Sequence, residues 1–157
     1  MTVVESRLGA GQFLAPGVIT TAMLAALAGL EVLGLPTFAI PFVATATILA
    51  TAPASPLART RTIVVAYGLS LVIALGVVGA WGSSTAAAVA SAGLAILATA
   101  LARVAHPPAA AGAAMVGLQG TEWTFLVGGF IPALAALMAV AGAAGALVRS
   151  YPYRLHW

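Results

Sequence analysis

The chain has 157 residues and contains no cysteine, no lysine and only three acidic residues. Without cysteine there is no disulfide and no thiolate metal site. Two histidines and three glutamates are too sparse for a metal-dependent hydrolase. No acid–histidine–serine set stands in a plausible order, and no glycine-rich phosphate loop is present. Catalysis is therefore not expected, and neither a metal nor another cofactor is. Six arginines against three acids leave a net charge of +3, too small and too scattered to hold nucleic acid. The first sixteen residues carry Glu5 and Arg7 with no small-residue cleavage site, so no cleavable signal peptide is expected.

What is present is apolar. Hydrophobic residues make up 62% of the chain, charged ones 6%, and mean hydropathy is +1.13. Several apolar runs approach the roughly 20 residues that span a bilayer, so the class is an all-α integral membrane protein. Alanine and glycine dominate, which suits close backbone packing in one compact bundle over residues 1–157. Arginine as the sole basic residue type, beside so much alanine, points to a bacterial inner membrane.

Prolines and glycines punctuate the runs. Segment one spans about Pro16 to Leu35; segment two is short, Phe38-Ala39-Ile40-Pro41 and then Phe42 to about Thr51. Segment three spans about Thr62 to Trp81, and Gly82-Ser83-Ser84 turns the chain into segment four, Thr85 to about Val104. Segment five is short again, from Pro107 to about Leu118; segment six spans about Trp123 to Val148, with a kink expected at Pro132. The order long–short–long occurs twice, over residues 16–82 and 85–148. "PFVATATIL" from Pro41 aligns with "PAAAGAAMV" from Pro108. Two proline-led half-helices at matching places indicate an internal repeat. If both short segments cross, Arg7, Arg59, Arg61, Arg103, Arg149 and Arg154 share one side, and Glu31 and Glu122 fall near the other. The positive-inside rule favours that arrangement: six crossings, cytoplasmic termini and an inverted three-plus-three repeat. Ile40 and His106, each before a proline, are expected to be extended. Tyr151, Tyr153, Trp81, Trp123 and Trp157 fit aromatic belts.

A broken helix exposes N–H groups and the positive end of its dipole. Two such starts converging at mid-membrane would receive a small anion. Ala44, Thr45, Thr47, Ala111 and Gly112 lie in the first turns, and hydroxyls and glycine suit close approach to an anion. His106 stands at the second break, able to donate to an anion or carry a proton, with Arg61 and Arg103 nearby in sequence. Each residue has a plainer reading as well: threonines that bond back to their own helix, arginines that anchor an interface, a histidine that joins two helices.

With these residues assembled, the chain resembles the HPP family of small membrane proteins through His106-Pro107-Pro108-Ala109, "ATATILATAPASPLARTR" over 44–61, and Tyr151-Pro152. It departs from the family pattern at Arg59-Thr60-Arg61, where Gln-Pro-Arg is common. It departs at Ala66-Tyr67, where Gly-His is common, and after the prolines, where the glycine comes later. The resemblance implies transport. Family members are usually described with about four transmembrane helices, and some are implicated in nitrite transport in plastids and cyanobacteria. The expectation is a homo-oligomeric carrier or channel for a small anion, nitrite first, embedded in lipid. The alternatives are a passive pore for a neutral solute and a non-transporting assembly module.

Overall fold

In the computed structural model, residues 10–37, 39–120 and 125–155 are described. They form six α-helices: α1 (Ala10–Val32), α2 (Ile40–Thr51), α3 (Thr60–Trp81), α4 (Thr85–Leu101), α5 (Pro107–Gln119) and α6 (Ile131–Leu147). A 3-10 turn, Pro56–Ala58, precedes α3, and a π-helical turn, Leu126–Phe130, runs directly into α6. No strand occurs among the described residues. Among the described residues three stretches are long and apolar enough to cross a membrane: Leu14–Val32, Thr60–Trp81 and Val127–Leu147.

The two short helices have 12 and 13 residues, about 18–20 Å each, less than a hydrocarbon core of about 30 Å. Non-helical backbone makes up the difference. After α1 the chain folds back into the bundle, where the buried Thr37 hydroxyl donates to the Leu27 carbonyl at 2.8 Å. Leu27 lies five residues before the end of α1, so α2 begins inside the layer rather than at its surface. Before α5, His106 is extended (φ −141°, ψ 95°), as a residue preceding proline should be. At the first break the extended residue is Ala39, not Ile40, because Ile40 already forms the first helical position. Pro16, expected at a helix start, lies inside α1, since the apolar residues before it extend the helix back to Ala10.

The helices alternate in direction. Tyr151 donates to the Leu49 carbonyl at 2.7 Å, and Tyr153 lies 3.2 Å from the Thr60 hydroxyl, so the end of α6 sits beside the end of α2 and the start of α3. The turn at Gly82 brings the end of α4 to the same side. Arg59, Arg61, Arg103, Arg149 and Arg154 therefore lie at one end of the bundle, all exposed, and Glu31 lies near the other. Arg7 and Glu122, part of the same charge argument, are outside the described residues, as are Trp123 and Trp157. The main helix contacts are α1 with α2 and α6, α2 with α5 and α6, α3 with α4 and α5, and α4 with α5. Exchanging α1 with α4, α2 with α5 and α3 with α6 maps this set onto itself. An inverted three-plus-three repeat produces that pattern.

The helices before the two breaks end alike. After α1, the Gly34 and Leu35 amides bond back to the Glu31 and Leu30 carbonyls. After α4, the Arg103 and Val104 amides bond back to Ala100 and Thr99. Both are Schellman closures with a left-handed residue: Gly34 at φ 84° and Arg103 at φ 56°. Glycine takes this conformation freely; a residue with a Cβ is disfavoured there by about 1–2 kcal/mol. Arg103→Gly is thus expected to stabilise the fold by about 1 kcal/mol, a rise of about 2–4 °C in the melting midpoint in detergent. A fall would show that the guanidinium makes a compensating contact.

Pro132 lies in the first turn of α6, directly after the π-helical turn. It lacks an N–H, and its ring crowds the carbonyl four residues earlier. The chain answers with the π-helical turn just before α6. Tyr151 and Tyr153 correct the expectation of an aromatic belt. Both are buried and stack on each other with centroids 6.1 Å apart. Burial pushes both phenols above their ordinary pKa. Trp81, 69% exposed at the end of α3, does fit a belt.

Candidate functional site

Helices α2 and α5 are antiparallel neighbours whose first turns overlap. Gly112 of α5 lies against Pro41: a Cβ at position 112 would stand 3.8 Å from the proline ring and 3.6 Å from Tyr67 Cε1. One turn further along α2, the buried Thr45 meets His106, with Oγ1 2.9 Å from Nε2. The two helix starts therefore pass each other and pack, rather than facing across a gap.

This overlap changes where hydrogen-bond donors are found. Pro107 and Pro108 have no N–H, and the Ala109 amide bonds to the His106 carbonyl at 2.9 Å. At α2, Pro41 has none, and the Phe42 and Val43 amides bond to the Ala39 carbonyl at 2.9 and 3.2 Å. The prolines that break the helices thus also remove donors that a bound anion would use, and local turns occupy others. The expectation of convergent N–H groups is corrected on that ground.

What the overlap does create is a buried chain of polar side chains. His106 is 2% exposed, and Thr45 and Tyr67 are buried with it. His106 Nδ1 lies 3.0 Å from the Leu57 carbonyl, which only accepts, so Nδ1 carries a proton. Thr45 Oγ1 lies 2.8 Å from Tyr67 Oη and 3.0 Å from the Pro41 carbonyl, and Tyr67 Oη donates to the same carbonyl at 2.8 Å. Four elements contribute: α2, the 3-10 turn, α3 and the start of α5. Around this chain, Tyr67 packs against Phe42, Phe130 and the imidazole, with centroids 5.6, 5.4 and 5.5 Å away.

Proton counting gives the chain two polarities. With a neutral imidazole, Nε2 must accept, so Thr45 donates to His106 while Tyr67 donates to the Pro41 carbonyl. With an imidazolium, Nε2 donates to Thr45, Thr45 to Tyr67, and Tyr67 to the Pro41 carbonyl. The second arrangement makes one more hydrogen bond and leaves a cation at the crossing. Gain of one proton on His106 turns Thr45 from a donor to Nε2 into an acceptor from it without moving a heavy atom.

Of the residues singled out from sequence, the structure brings together Thr45, His106 and Gly112. Ala44 is half-buried on α2, beside them in sequence. Thr47 is exposed, on the opposite face of α2 from Thr45, and bonds to the Val43 carbonyl of its own helix at 3.0 Å. Ala111 is exposed on α5. Arg61 and Arg103 are exposed at the arginine-bearing end of the bundle, one at the start of α3 and one just past α4. Tyr67, which joins Thr45 to Pro41, was not anticipated. Its one signal was the departure at Ala66-Tyr67, where the resembled pattern often carries Gly-His. Among the described residues no group of three or more metal-binding side chains occurs.

A family model described as HPP, transmembrane region, matches residues 6–152. Searches of curated proteins and of solved structures returned no match to the chain.

Proposed function

Since the chain belongs to the HPP transmembrane family and is an integral membrane protein with several apolar helices, we propose that it carries a small inorganic anion, nitrite first, across the membrane together with a proton. The observation that carries this reading is the Thr45–Tyr67–His106 chain, buried where two proline-led half-helices overlap. Ionisable side chains at membrane depth are costly and are kept where they serve a pathway. An anion entering this layer alone would lose its hydration with little in return. An imidazolium at His106 supplies the missing countercharge, and the proton then travels with the anion as a net neutral pair.

The rest of the fold supports the proposal. By the positive-inside rule the arginine-bearing end is cytoplasmic, as are both termini. Five described arginines there would gather anions. The repeat offers alternating access: the α1–α2–α3 unit rocks against α4–α5–α6 around the crossing. Among the described residues three stretches are full-length spans, so a second copy covering the shorter helices is expected. A passive pore is less well supported, because rings fill the crossing: Phe42 and Phe130 lie 6.1 Å apart beside Tyr67.

Purified protein in liposomes tests the reading. Nitrite uptake above that of empty liposomes is expected, driven by an inward proton gradient and lost when a protonophore collapses it. No uptake over empty liposomes would overturn the substrate class. Uptake indifferent to the protonophore would overturn the coupling.

A further inference from the structure

The buried apolar side chains form two separate cores. Met23 and Leu27 of α1 and Leu49 of α2 lie in the first. Ala95 of α4 and Ala113 and Val116 of α5 lie in the second. Helix α5 touches the first core with Ala109, in its first turn, directly after the proline break. Helix α3 serves both cores in full. Ile63, Ala66 and Tyr67 belong to the first and Leu71 and Ala74 to the second, so the division falls in mid-helix. Close-packed interiors transmit displacement, so movement of one core against the other must pass through α3.

Gly68 stands at that division. A Cβ added there would meet nothing among the described residues within 4 Å, so no close approach calls for glycine. Gly68 is not among the residues of positive φ, so no left-handed turn calls for it either. In a helix interior glycine is less favourable than alanine, because it has more freedom to lose. Ser70 follows two residues on. It is 1% exposed, and its Oγ has no hydrogen-bond partner among the described residues. An unpartnered buried hydroxyl is unfavourable, and a helical serine can ordinarily bond to a carbonyl of the preceding turn. Glycine with serine is one of the few combinations at which helices kink sharply. Just before the division, Tyr67 ties the first half of α3 to α2: Oη lies 2.8 Å from both Thr45 Oγ1 and the Pro41 carbonyl.

We propose that Gly68 is a hinge in α3. The half after it swings with α4 and α5, while the half before it stays with α1 and α2. Bending stretches the backbone bonds that cross Gly68, and the Ser70 hydroxyl bonds to the Ala66 carbonyl thus released. The straight helix lacks that bond, so Ser70 favours the bent form. As a step in transport the hinge rests on the reading above: α3 yields at one point during rocking, and Tyr67 keeps its place at the crossing.

The chain has no cysteine, so Val32→Cys and Val89→Cys place one pair of spin labels, on exposed residues at the end of α1 and near the start of α4. The distance between them in detergent should show two populations, separated by on the order of 5 Å. Gly68→Ala should leave one. Gly76→Ala, beyond the division on α3 and equally free of neighbours, should keep both. Both variants should unfold at a higher temperature than the parent, since alanine is the better helix former. Ser70→Ala should lower the bent population about fivefold, the worth of one hydrogen bond. A single population in the parent would overturn the hinge, as would two populations in Gly68→Ala or the loss of one in Gly76→Ala. An unchanged ratio in Ser70→Ala would overturn the serine's part. Distances are read without transport, so two populations with no nitrite uptake would sink the transport reading and leave the hinge standing.

Discussion

His106→Ala is expected to abolish coupled nitrite uptake and to weaken the fold by about 3–5 kcal/mol, the sum of two orphaned polar partners and the void left by a buried ring. The partners are the Leu57 carbonyl and the Thr45 hydroxyl, 3.0 and 2.9 Å from the ring nitrogens. Loss of stability alone would not distinguish a proton carrier from a helix clamp, so His106→Gln is the informative companion. An amide can donate toward Leu57 and accept from Thr45, but it has no basic nitrogen with which to take up a proton. The glutamine variant should therefore recover much of the lost stability while uptake stays about tenfold or more below wild type. The checks are an unfolding midpoint in detergent and flux into liposomes under a proton gradient. Wild-type flux in the glutamine variant would mean that the imidazole serves only to join α5 to α2 and to the 3-10 turn.

The pair Thr45 and His106 was legible because both sit just beside prolines that sequence alone marks as helix breaks. The two proline-led helix starts and the common side of the described arginines were legible for the same kind of reason: proline and charge act locally and have few alternatives in a membrane. The role of the broken ends was not. Dipole reasoning counts free N–H groups, and the residues that create the break, Pro41, Pro107 and Pro108, are the ones without an N–H. Tyr67 was missed because a lone tyrosine in an apolar helix ordinarily packs in the core or marks an interface. Its place in the buried chain depends on a contact 22 residues away in sequence, 2.8 Å from Thr45. Tyr151 and Tyr153 failed in the opposite sense. Their position after the last helix resembled an interface, yet they fold back to bond Leu49 and Thr60.

The glycines expose the same boundary, and one of them carries the second large expected effect. The chain has 17 glycines, and sequence gives no means to rank them. In the structure, a Cβ on Gly117 would stand 2.6 Å from Ala88 Cα and 2.7 Å from the Ala87 carbonyl oxygen, both backbone atoms of α4. Backbone cannot swing aside as a side chain can, so α5 must move. The Gly117 carbonyl also accepts from the Ser84 amide at 3.0 Å, and Ser84 Oγ in turn caps α4 by accepting from the Ala87 amide at 3.1 Å. Gly117→Ala is therefore expected to destabilise by about 2–4 kcal/mol, the upper range of overpacking plus a lost buried hydrogen bond. Gly93→Ala, on α4 itself with nothing within 4 Å of the added carbon, should instead gain about 0.5–1 kcal/mol from reduced chain entropy. Opposite signs for the same substitution on one helix pair would locate the contact. The consequence reaches the buried chain, because His106 immediately precedes α5 and Gly117 lies in its last turn. Displacing α5 from α4 carries the shift along the helix to the crossing, so nitrite uptake by Gly117→Ala should fall even where the protein remains folded. Unchanged uptake in a destabilised Gly117→Ala protein would show that α5 and α4 do not move as one body.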